Sequence, residues 1–376
     1  MSLGFARFRA PTFADVATGR DNNLNLLRML AASSVLFSHS YALTGHMLQE
    51  PLVVASGQRT DAATIGVIVF FAISGFLIAQ SLARTPSLYA YTIARALRIL
   101  PGLMLAKLFC VLVLGWYATS LASAAYWTHA DTWRFLLACP NFDVRDRLPG
   151  VFERNPHPLA VDGSLWTIPV ETWCYAAAAA LALVTLLRRP AAFTVAALAA
   201  TIAYAMFPQP IRTWLPSGGY GTIPALLFTF MFAAWLHVCR RVVPVSLPLA
   251  GVVLVLVLVL LLLDADIRYF GAFYYAGIAY VALVLAYHPR LRWRAYLRVG
   301  DYSYGTYVLA FPVQQFIIWR FGITQPAVVF ALALVATIVL ASASWHVVEK
   351  PALGLKARLV AWRPRFGYGL RRTTRS

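Results

Sequence analysis

Charge is scarce in this sequence, and negative charge is the scarcest. Of the 376 residues only 12% are charged and 60% are hydrophobic, with 14 acidic residues against 32 lysines and arginines. Soluble domains carry about 25% charged residues, so a single soluble core is excluded. The apolar residues form near-continuous runs of about 20 residues and not the short alternating segments of a membrane barrel. The sequence therefore predicts an all-α polytopic membrane protein.

Cysteine is scarce too, and a cleavable signal peptide and internal repeats are lacking. The four cysteines (Cys110, Cys139, Cys174 and Cys239) have neither CxxC nor metal-ligand spacing, so we expect no disulfide framework and no metal. Residues 1–23 are too polar to contain the apolar core of a signal peptide. The first span is therefore expected to act as the targeting signal.

The apolar runs predict about ten membrane spans. They lie at residues 24–44, 62–82, 99–120, 165–187, 191–207, 222–239, 245–263, 269–287, 304–320 and 326–347. With a cytoplasmic N-terminus, 22 lysines and arginines fall on the cytoplasmic side and 8 on the other. This asymmetry is the positive-inside signature and predicts that both termini are cytoplasmic. The membrane topology then explains the excess of positive charge, and nucleic acid is not an expected partner.

The span pattern divides the chain into three parts. Residues 1–23 form a cytoplasmic segment, residues 24–348 a membrane domain, and residues 349–376 a basic cytoplasmic tail suited to anionic lipid. The longest external segment, 121–164, joins the third and fourth spans. It is where we would seek acceptor specificity, although it contains no decodable motif.

Two ionisable residues, Arg28 and His39, interrupt the first span. Charged residues in hydrocarbon are costly and commonly functional. Eleven residues at about 100° each bring the two within about 20° of one helix face, roughly 16 Å apart along the axis. Arg28 alone suits a snorkelling flank residue, and His39 alone suits a hydrogen bond between helices. The shared face favours a functional pair.

Further polar residues adjoin other spans. Arg95 and Arg98, spaced i,i+3 just before the third span, suit either positive-inside charge or a phosphate clamp. Glu171 lies inside the fourth span, where a carboxylate needs a cationic partner or a proton; structural pairing is the alternative to catalysis. We expect Glu171 to orient His39 or to pair with Arg28.

Aromatic residues near the span ends supply candidates for substrate contact. Trp166 and Trp173 flank Glu171 and suit either the membrane interface or sugar stacking. Tyr304 belongs to a tyrosine-rich start of the ninth span, where belt residues are the ordinary interpretation. We take Trp166 and Tyr304 as the substrate-binding candidates.

Six strings, taken together, resemble the acyltransferase-3 family of integral membrane acyltransferases, which O-acetylate bacterial surface glycans. They are Arg28 and His39 with ten residues between them, FFAISGFLIAQSL (70–82), RALRILP (95–101), GSLWTIPVETWCY (163–175), YSYGTYVLAFPVQQ (302–315) and EKP (349–351). Each is weak alone, but six in the family's order along nearly the whole chain are specific.

The resemblance implies an acetyl-CoA or other short acyl-CoA donor on the cytoplasmic side, a sugar hydroxyl acceptor at the outer face, and a bacterial inner-membrane location. By the match of motifs, His39 is the expected catalytic histidine, Arg28 its paired arginine, Arg95 and Arg98 the family's Arg-x-x-Arg, and Glu171 its glutamate. Two features depart from relatives: Ala310 stands where many have histidine, and no hydrolase-like domain follows the tenth span.

Acyl transfer to a hydroxyl needs a base that works near neutral pH, and imidazole suits this task. His39 is either that base or a transient acyl carrier, and the residues do not separate the two. The alternative function is a transporter or exporter of a glycan intermediate or metabolite, which also suits ten spans and buried ionisable residues. The lack of a clear inverted repeat disfavours it.

Overall fold

The computed structural model describes residues 10–19, 21–84, 87–138, 145–206, 223–263 and 267–361. Within these ranges the chain is helical, and extended pairing is limited to three isolated bridges between single residues. The predicted all-α class is therefore confirmed for the described part of the chain. Cys139 lies outside the described residues.

Ten helices of 16 residues or more make up the described bundle. They are α1 (Leu24–Leu43), α2 (Ala62–Arg84), α3 (Leu88–Phe109), α4 (Thr167–Leu183), α5 (Pro190–Met206), α6 (Ile223–Val238), α7 (Leu247–Leu262), α8 (Ile267–Tyr287), α9 (Ser303–Phe321) and α10 (Pro326–Ser344). Single π-helical turns extend α3 (Cys110–Gly115) and α10 (Trp345–Glu349).

Four of these helical stretches are both long and apolar enough to cross a membrane. They are Ala62–Arg84, Leu88–Ala118, Phe270–Tyr287 and Pro326–Ala361. Parts of α5, α6 and α7 are apolar but shorter than this length. The chain is thus an α-helical membrane protein, while ten spans and cytoplasmic termini remain predictions.

Helix α3 extends beyond the span predicted at 99–120. It begins at Leu88 and so contains both Arg95 and Arg98, which we expected just before the span. The Ser87 hydroxyl accepts a hydrogen bond from the Ala90 amide at 3.3 Å and caps this start. Both arginines line a cavity.

Helix α2 lies at the centre of the bundle and packs closely on α1 and α6. Its residues Ala72 and Phe76 are fully buried. A Cβ atom at Gly75 would overlap the carbonyl oxygen of Phe230 on α6, so only glycine permits this approach. The glycine of the FFAISGFL string therefore has a packing role.

The segment between α3 and α4 folds over one end of the bundle. It contains two short helices, Ser123–Thr128 and Ala130–Leu137. Lys107 of α3 is 1% exposed, and its ammonium donates to the carbonyls of Phe135 and Ala138. The lysine charge is thus satisfied by the end of the second short helix, which it ties to α3.

The predicted basic tail begins as helix. Lys350–Gly354 and Lys356–Ala361 continue the chain after α10. The Tyr89 hydroxyl of α3 donates to the carbonyl of Leu359 at 3.2 Å. The described part of the tail therefore packs against the start of α3.

Candidate active site

Five of the predicted site residues meet in one cavity among α1, α2, α3, α4 and α9. They are Arg28, Arg95, Arg98, Glu171 and Tyr304. Four separate helices supply them, so the site exists only in the folded bundle. We refer to it as the arginine cavity.

Asp301 holds two of the arginines together. Its Oδ2 atom accepts from Arg98 Nη2 at 2.7 Å and from Arg28 Nη1 at 3.3 Å, while Oδ1 accepts from the Ser303 hydroxyl at 2.6 Å. Burial raises the pKa of this carboxyl, but Arg98 and Arg28 outweigh burial and lower the pKa to about 2. Asp301 is therefore a carboxylate throughout the neutral range.

Arg95 and Glu171 occupy the side of the cavity nearer α4. The Arg95 guanidinium lies 5.8 Å from the centre of the Tyr175 ring, and its Nε atom is buried without a hydrogen-bond partner among the described residues. Glu171 Oε1 accepts from the hydroxyls of Tyr175 and Ser74. The expected pairing of Glu171 with His39 or Arg28 is not seen as a hydrogen bond among the described residues; Arg28 donates to Asp301 instead.

The tyrosines of the ninth helix line the interior and do not form a lipid-facing belt. Arg98 lies 5.7 Å from the centre of the Tyr304 ring, and the Tyr304 hydroxyl donates to the Ile99 carbonyl at 2.9 Å. Tyr304 thereby packs α9 against α3 while it fixes one arginine. The belt interpretation was wrong for Tyr304 and Tyr307, since both line cavities.

His39 lines a second cavity, which we call the histidine cavity. Asp61 and Trp166 line it as well, the latter at the end of the turn Gly163–Trp166. The His39 Nδ1 atom is buried and has no hydrogen-bond partner in the described part of the chain. A cavity-lining imidazole of this kind is available for proton or acyl chemistry.

The two cavities share a wall. Val67 of α2 and Tyr307 of α9 line both of them. The Tyr307 hydroxyl donates to the Ser164 carbonyl at 3.1 Å and hydrogen-bonds with the Thr167 hydroxyl at 2.8 Å. Only these two side chains are common to both linings among the described residues, so they separate the arginines from the histidine.

The segment before α4 contacts α9 close to His39. The Phe311 ring lies edge-on to both His39, at 5.3 Å, and His157, at 6.3 Å between ring centres. Gln315 Nε2 donates to the carbonyls of His157 and Ala160, at 2.8 and 2.7 Å. The segment is therefore fixed beside the histidine by hydrogen bonds to α9.

Asp301, Asp61, Val67 and Tyr307 are the site residues that sequence reasoning missed. Five of the 14 acidic residues lie within three positions of a predicted span start, so this position alone did not single out Asp61 or Asp301. No cluster of three or more His, Cys, Asp or Glu residues with the proximity of metal ligands occurs within the described ranges. The local polar chemistry is that of guanidinium, imidazole, carboxylate and phenol groups.

The fold and these cavities define a helical membrane protein with a polar site inside its bundle. The chain belongs to the acyltransferase-3 family, whose model, described as an acyltransferase domain, matches residues 21–346. The match covers all ten long helices, with α10 complete.

Two curated relatives align along nearly their full lengths. An O-acetyl transferase of Shigella phage Sf6 is 29% identical over 344 residues, which cover 88% of this chain and 96% of the relative. Nodulation protein 10 of Rhizobium leguminosarum bv. viciae is 26% identical over 387 residues, with 92% and 97% coverage. No solved structure matches the chain significantly. The protein is thus a membrane acyltransferase by family.

Proposed function

We propose that the protein transfers an acetyl or other short acyl group from acyl-CoA to a sugar hydroxyl of a surface or exported glycan in the bacterial inner membrane. The observation that carries this proposal is the pair of adjoining cavities, with arginines in one and His39 in the other. The name of the phage relative, an O-acetyl transferase, supports the same reaction class.

The arginine cavity is the proposed donor site. Three guanidiniums line the cavity: Arg28 and Arg98 share Asp301, whereas Arg95 is in no ion pair found among the described residues, so its positive charge is left for the phosphates of the donor. Arg95 has a buried Nε without a described partner, whereas Arg98 and Arg28 are already engaged by Asp301. We therefore assign the first phosphate contact to Arg95, with Arg98 beside it.

The histidine cavity is the proposed acceptor site. Trp166 offers an indole face for a sugar ring, and the segment holding His157 adjoins the same region. Arg28 and His39 lie on one helix, roughly 16 Å apart along its axis. The thioester of a donor held near Arg28 has to reach past Val67 and Tyr307 to meet the acceptor.

Two reaction sequences fit this arrangement. In the first, His39 takes the proton from the sugar hydroxyl, whose oxygen attacks the thioester carbonyl; the carbon–sulfur bond then breaks, and the imidazolium returns its proton to the departing thiolate. In the second, the unprotonated ring nitrogen of His39 attacks the thioester carbonyl, the carbon–sulfur bond breaks, and the thiolate leaves with the proton of the other ring nitrogen. The sugar hydroxyl then attacks the acyl-imidazole, the carbon–nitrogen bond breaks, and the hydroxyl proton returns to His39. Both sequences conserve protons and consume one acyl-CoA per ester formed.

The orientation that we propose has ten membrane crossings and both termini in the cytoplasm. It rests on the ten long helices together with the distribution of arginines between the two ends of the bundle. The arginine cavity then opens toward the acyl-CoA pool, and the segment before α4 faces outward toward the glycan. No nucleic acid and no metal ion enter this scheme.

Replacement of His39 tests the function. His39→Ala should abolish acylation of the glycan at matched membrane expression, measured as the acyl mass increment on the polysaccharide. His46→Ala is the matched control, since His46 lies outside the cavity and contacts the Thr44 hydroxyl at 3.2 Å. Full activity of His39→Ala would refute the assignment. Trapping of acyl-His39 from acyl-CoA without acceptor would select the carrier sequence.

A further inference from the structure

A third cavity lies beneath the N-terminal segment at the arginine-rich end of the bundle. Arg84 from the end of α2, Arg240 just after α6, and His237 from the last turn of α6 line it, together with Thr18 and Gln80. It shares no lining residue with the arginine cavity or the histidine cavity. We call it the His237 cavity.

His237 is the unusual member of this group. Its side chain is 4% exposed, and both ring nitrogens are buried without a hydrogen-bond partner among the described residues. Its ring packs edge-on against Phe76 at 5.1 Å, so apolar contact fixes the ring but satisfies neither nitrogen. Buried polar groups without partners are rare because each loses its hydrogen bond to water. A bound polar ligand would supply the hydrogen bonds that the two ring nitrogens of His237 lack.

The charges around His237 specify the ligand as an anion. Arg84 and Arg240 face the same cavity, and none of its described lining residues is acidic. Arg240 uses Nη1 to donate to the His237 carbonyl at 3.1 Å, and Gln80 donates to the Ala17 carbonyl at 3.1 Å. The Thr18 hydroxyl adds a further donor on the wall. Two guanidiniums and an imidazole suit a phosphate group better than a lone carboxylate.

The N-terminal segment closes one side of this cavity by specific contacts. The Ala14 amide donates to the Arg240 carbonyl at 2.9 Å, and the Val245 amide donates to the Pro11 carbonyl. The Phe13 ring is fully buried and lies 5.3 Å from Phe76. The segment is thus a fixed wall, which gives the cavity a defined shape before any ligand arrives.

We propose that the His237 cavity binds a phosphate-bearing anion, in addition to and separately from the arginine cavity. The geometry points to a phosphomonoester or diphosphate held by Arg84, Arg240 and His237. Two sources carry that chemistry: an anionic lipid headgroup, and the nucleotide end of an acyl-CoA donor.

Inorganic pyrophosphate binding to the purified full-length protein, measured by calorimetry, tests the site. Arg240→Gln should weaken binding at least about tenfold, as expected for loss of a charge-assisted contact. Arg241→Gln is the matched control, because this exposed neighbour does not line the cavity. His237→Gln provides a second variant if Arg240→Gln does not fold, and Arg95→Gln reports the contribution of the arginine cavity, where we assign the first phosphate contact to Arg95.

Pyrophosphate binding that is equal in Arg240→Gln and Arg241→Gln would overturn the proposal, as would binding lost only in Arg95→Gln. Competition then identifies the source. Displacement of pyrophosphate in nanodiscs that contain phosphatidic acid, a phosphomonoester lipid, but not in nanodiscs of phosphatidylcholine assigns the lipid headgroup. Displacement by coenzyme A assigns the nucleotide; its 3′-dephospho form also competes if the diphosphate is the bound group and does not if the 3′-phosphate is. If neither competes, a role for either class of compound is rejected.

Discussion

Arg98 Nη2 lies 2.7 Å from Asp301 Oδ2, which places the start of α9 directly against the arginine pair of α3. The same carboxylate oxygen receives Arg28 from α1. One acid thus joins three helices and sets the positions of two of the three guanidiniums in the cavity. Asp301 is 9% exposed, so this ion-pair network is largely removed from water.

Asp301→Asn should therefore destabilise the protein and weaken donor binding together. Removal of one partner from a buried ion pair costs about 3 kcal/mol, because the remaining charges stay uncompensated. We expect a lower melting temperature and a raised KM for acyl-CoA. Asp131→Asn is the control, since its ion pairs with Arg134 and Arg145 are largely exposed and contribute about 1 kcal/mol or less.

The stability of Asp301→Asn relative to the wild type should also depend on pH in a defined way. The pKa of Asp301 is lowered to about 2 from an ordinary value of 3.8, so the carboxylate stabilises the fold above that ordinary value. That contribution is lost only as the pH falls toward 2. Stability profiles of the wild type and Asp301→Asn should stay parallel between about pH 5 and pH 8. Convergence of the two profiles inside that window would contradict the ion-pair account.

The sequence predicted which residues line the arginine cavity better than it predicted which of them pair with each other. Arg28 and His39 were assigned to one helix face by arithmetic alone, and α1 is indeed continuous from Leu24 to Leu43. Asp301 could not be paired with Arg28 in the same way, because a separation of 273 positions carries no periodic signal. Helical periodicity reports neighbours on one helix, whereas contacts between helices depend on packing.

Helix boundaries, and the surroundings that each side chain faces, were predicted less well from the sequence. The hydropathy pattern started the third span at residue 99, whereas α3 begins at Leu88, because two cavity-lining arginines lower the local average. Tyr304 and Tyr307 look like interfacial tyrosines in sequence, since belt residues and cavity residues share an amphipathic chemistry. Only tertiary structure distinguishes a tyrosine that faces lipid from one that faces a cavity.

Asp61 should affect turnover more than donor binding. Its carboxylate lines the histidine cavity and acts electrostatically on His39, where positive charge develops if the imidazole accepts a proton. Asp61→Asn should lower kcat roughly tenfold, equivalent to about 1.4 kcal/mol, and leave the KM for acyl-CoA nearly unchanged. Steady-state kinetics with the purified enzyme measure both values.

The choice of asparagine separates charge from helix capping at this position. Asp61 Oδ1 accepts from the Thr64 amide at 2.6 Å at the start of α2. The amide oxygen of asparagine can accept the same bond, whereas Asp61→Ala loses it and should cost a further ~1 kcal/mol of stability. Equal kcat values for Asp61→Asn and the wild type would show that the charge has no catalytic effect.

Gln315 should control the order of the segment next to His39. It is fully buried, donates to His157 and Ala160, and accepts from Asn155 Nδ2 at 2.8 Å. Gln315→Leu leaves these groups without a partner, at about 1–3 kcal/mol for each unsatisfied group. Limited trypsinolysis should then cut faster after Arg145, Arg147 and Arg154.

Gln314→Leu is the matched control for the segment. Its amide donates to the Leu36 carbonyl and the Ser40 hydroxyl of α1, at 2.8 and 2.6 Å, and not to the external segment. The two glutamines are adjacent in sequence and equally buried, yet they hold different partners. Faster cleavage in Gln314→Leu and not in Gln315→Leu would reverse the assignment.

Val67 should limit the size of the acyl group that passes from donor to acceptor. It lines both cavities with Tyr307, so its side chain stands where the thioester has to approach His39. Val67→Ala shortens the side chain by two carbon atoms and so makes room for the extra methylene of a propionyl group. Burial of one methylene is worth about 0.8 kcal/mol, or about fourfold in rate. The ratio of propionyl to acetyl transfer should rise by at least that factor.

Leu77→Ala is the control for Val67→Ala. Leu77 lines only the arginine cavity, so its truncation enlarges the donor site away from the shared wall. An equal rise in both variants would mean that donor-site volume, and not the shared wall, selects the acyl group.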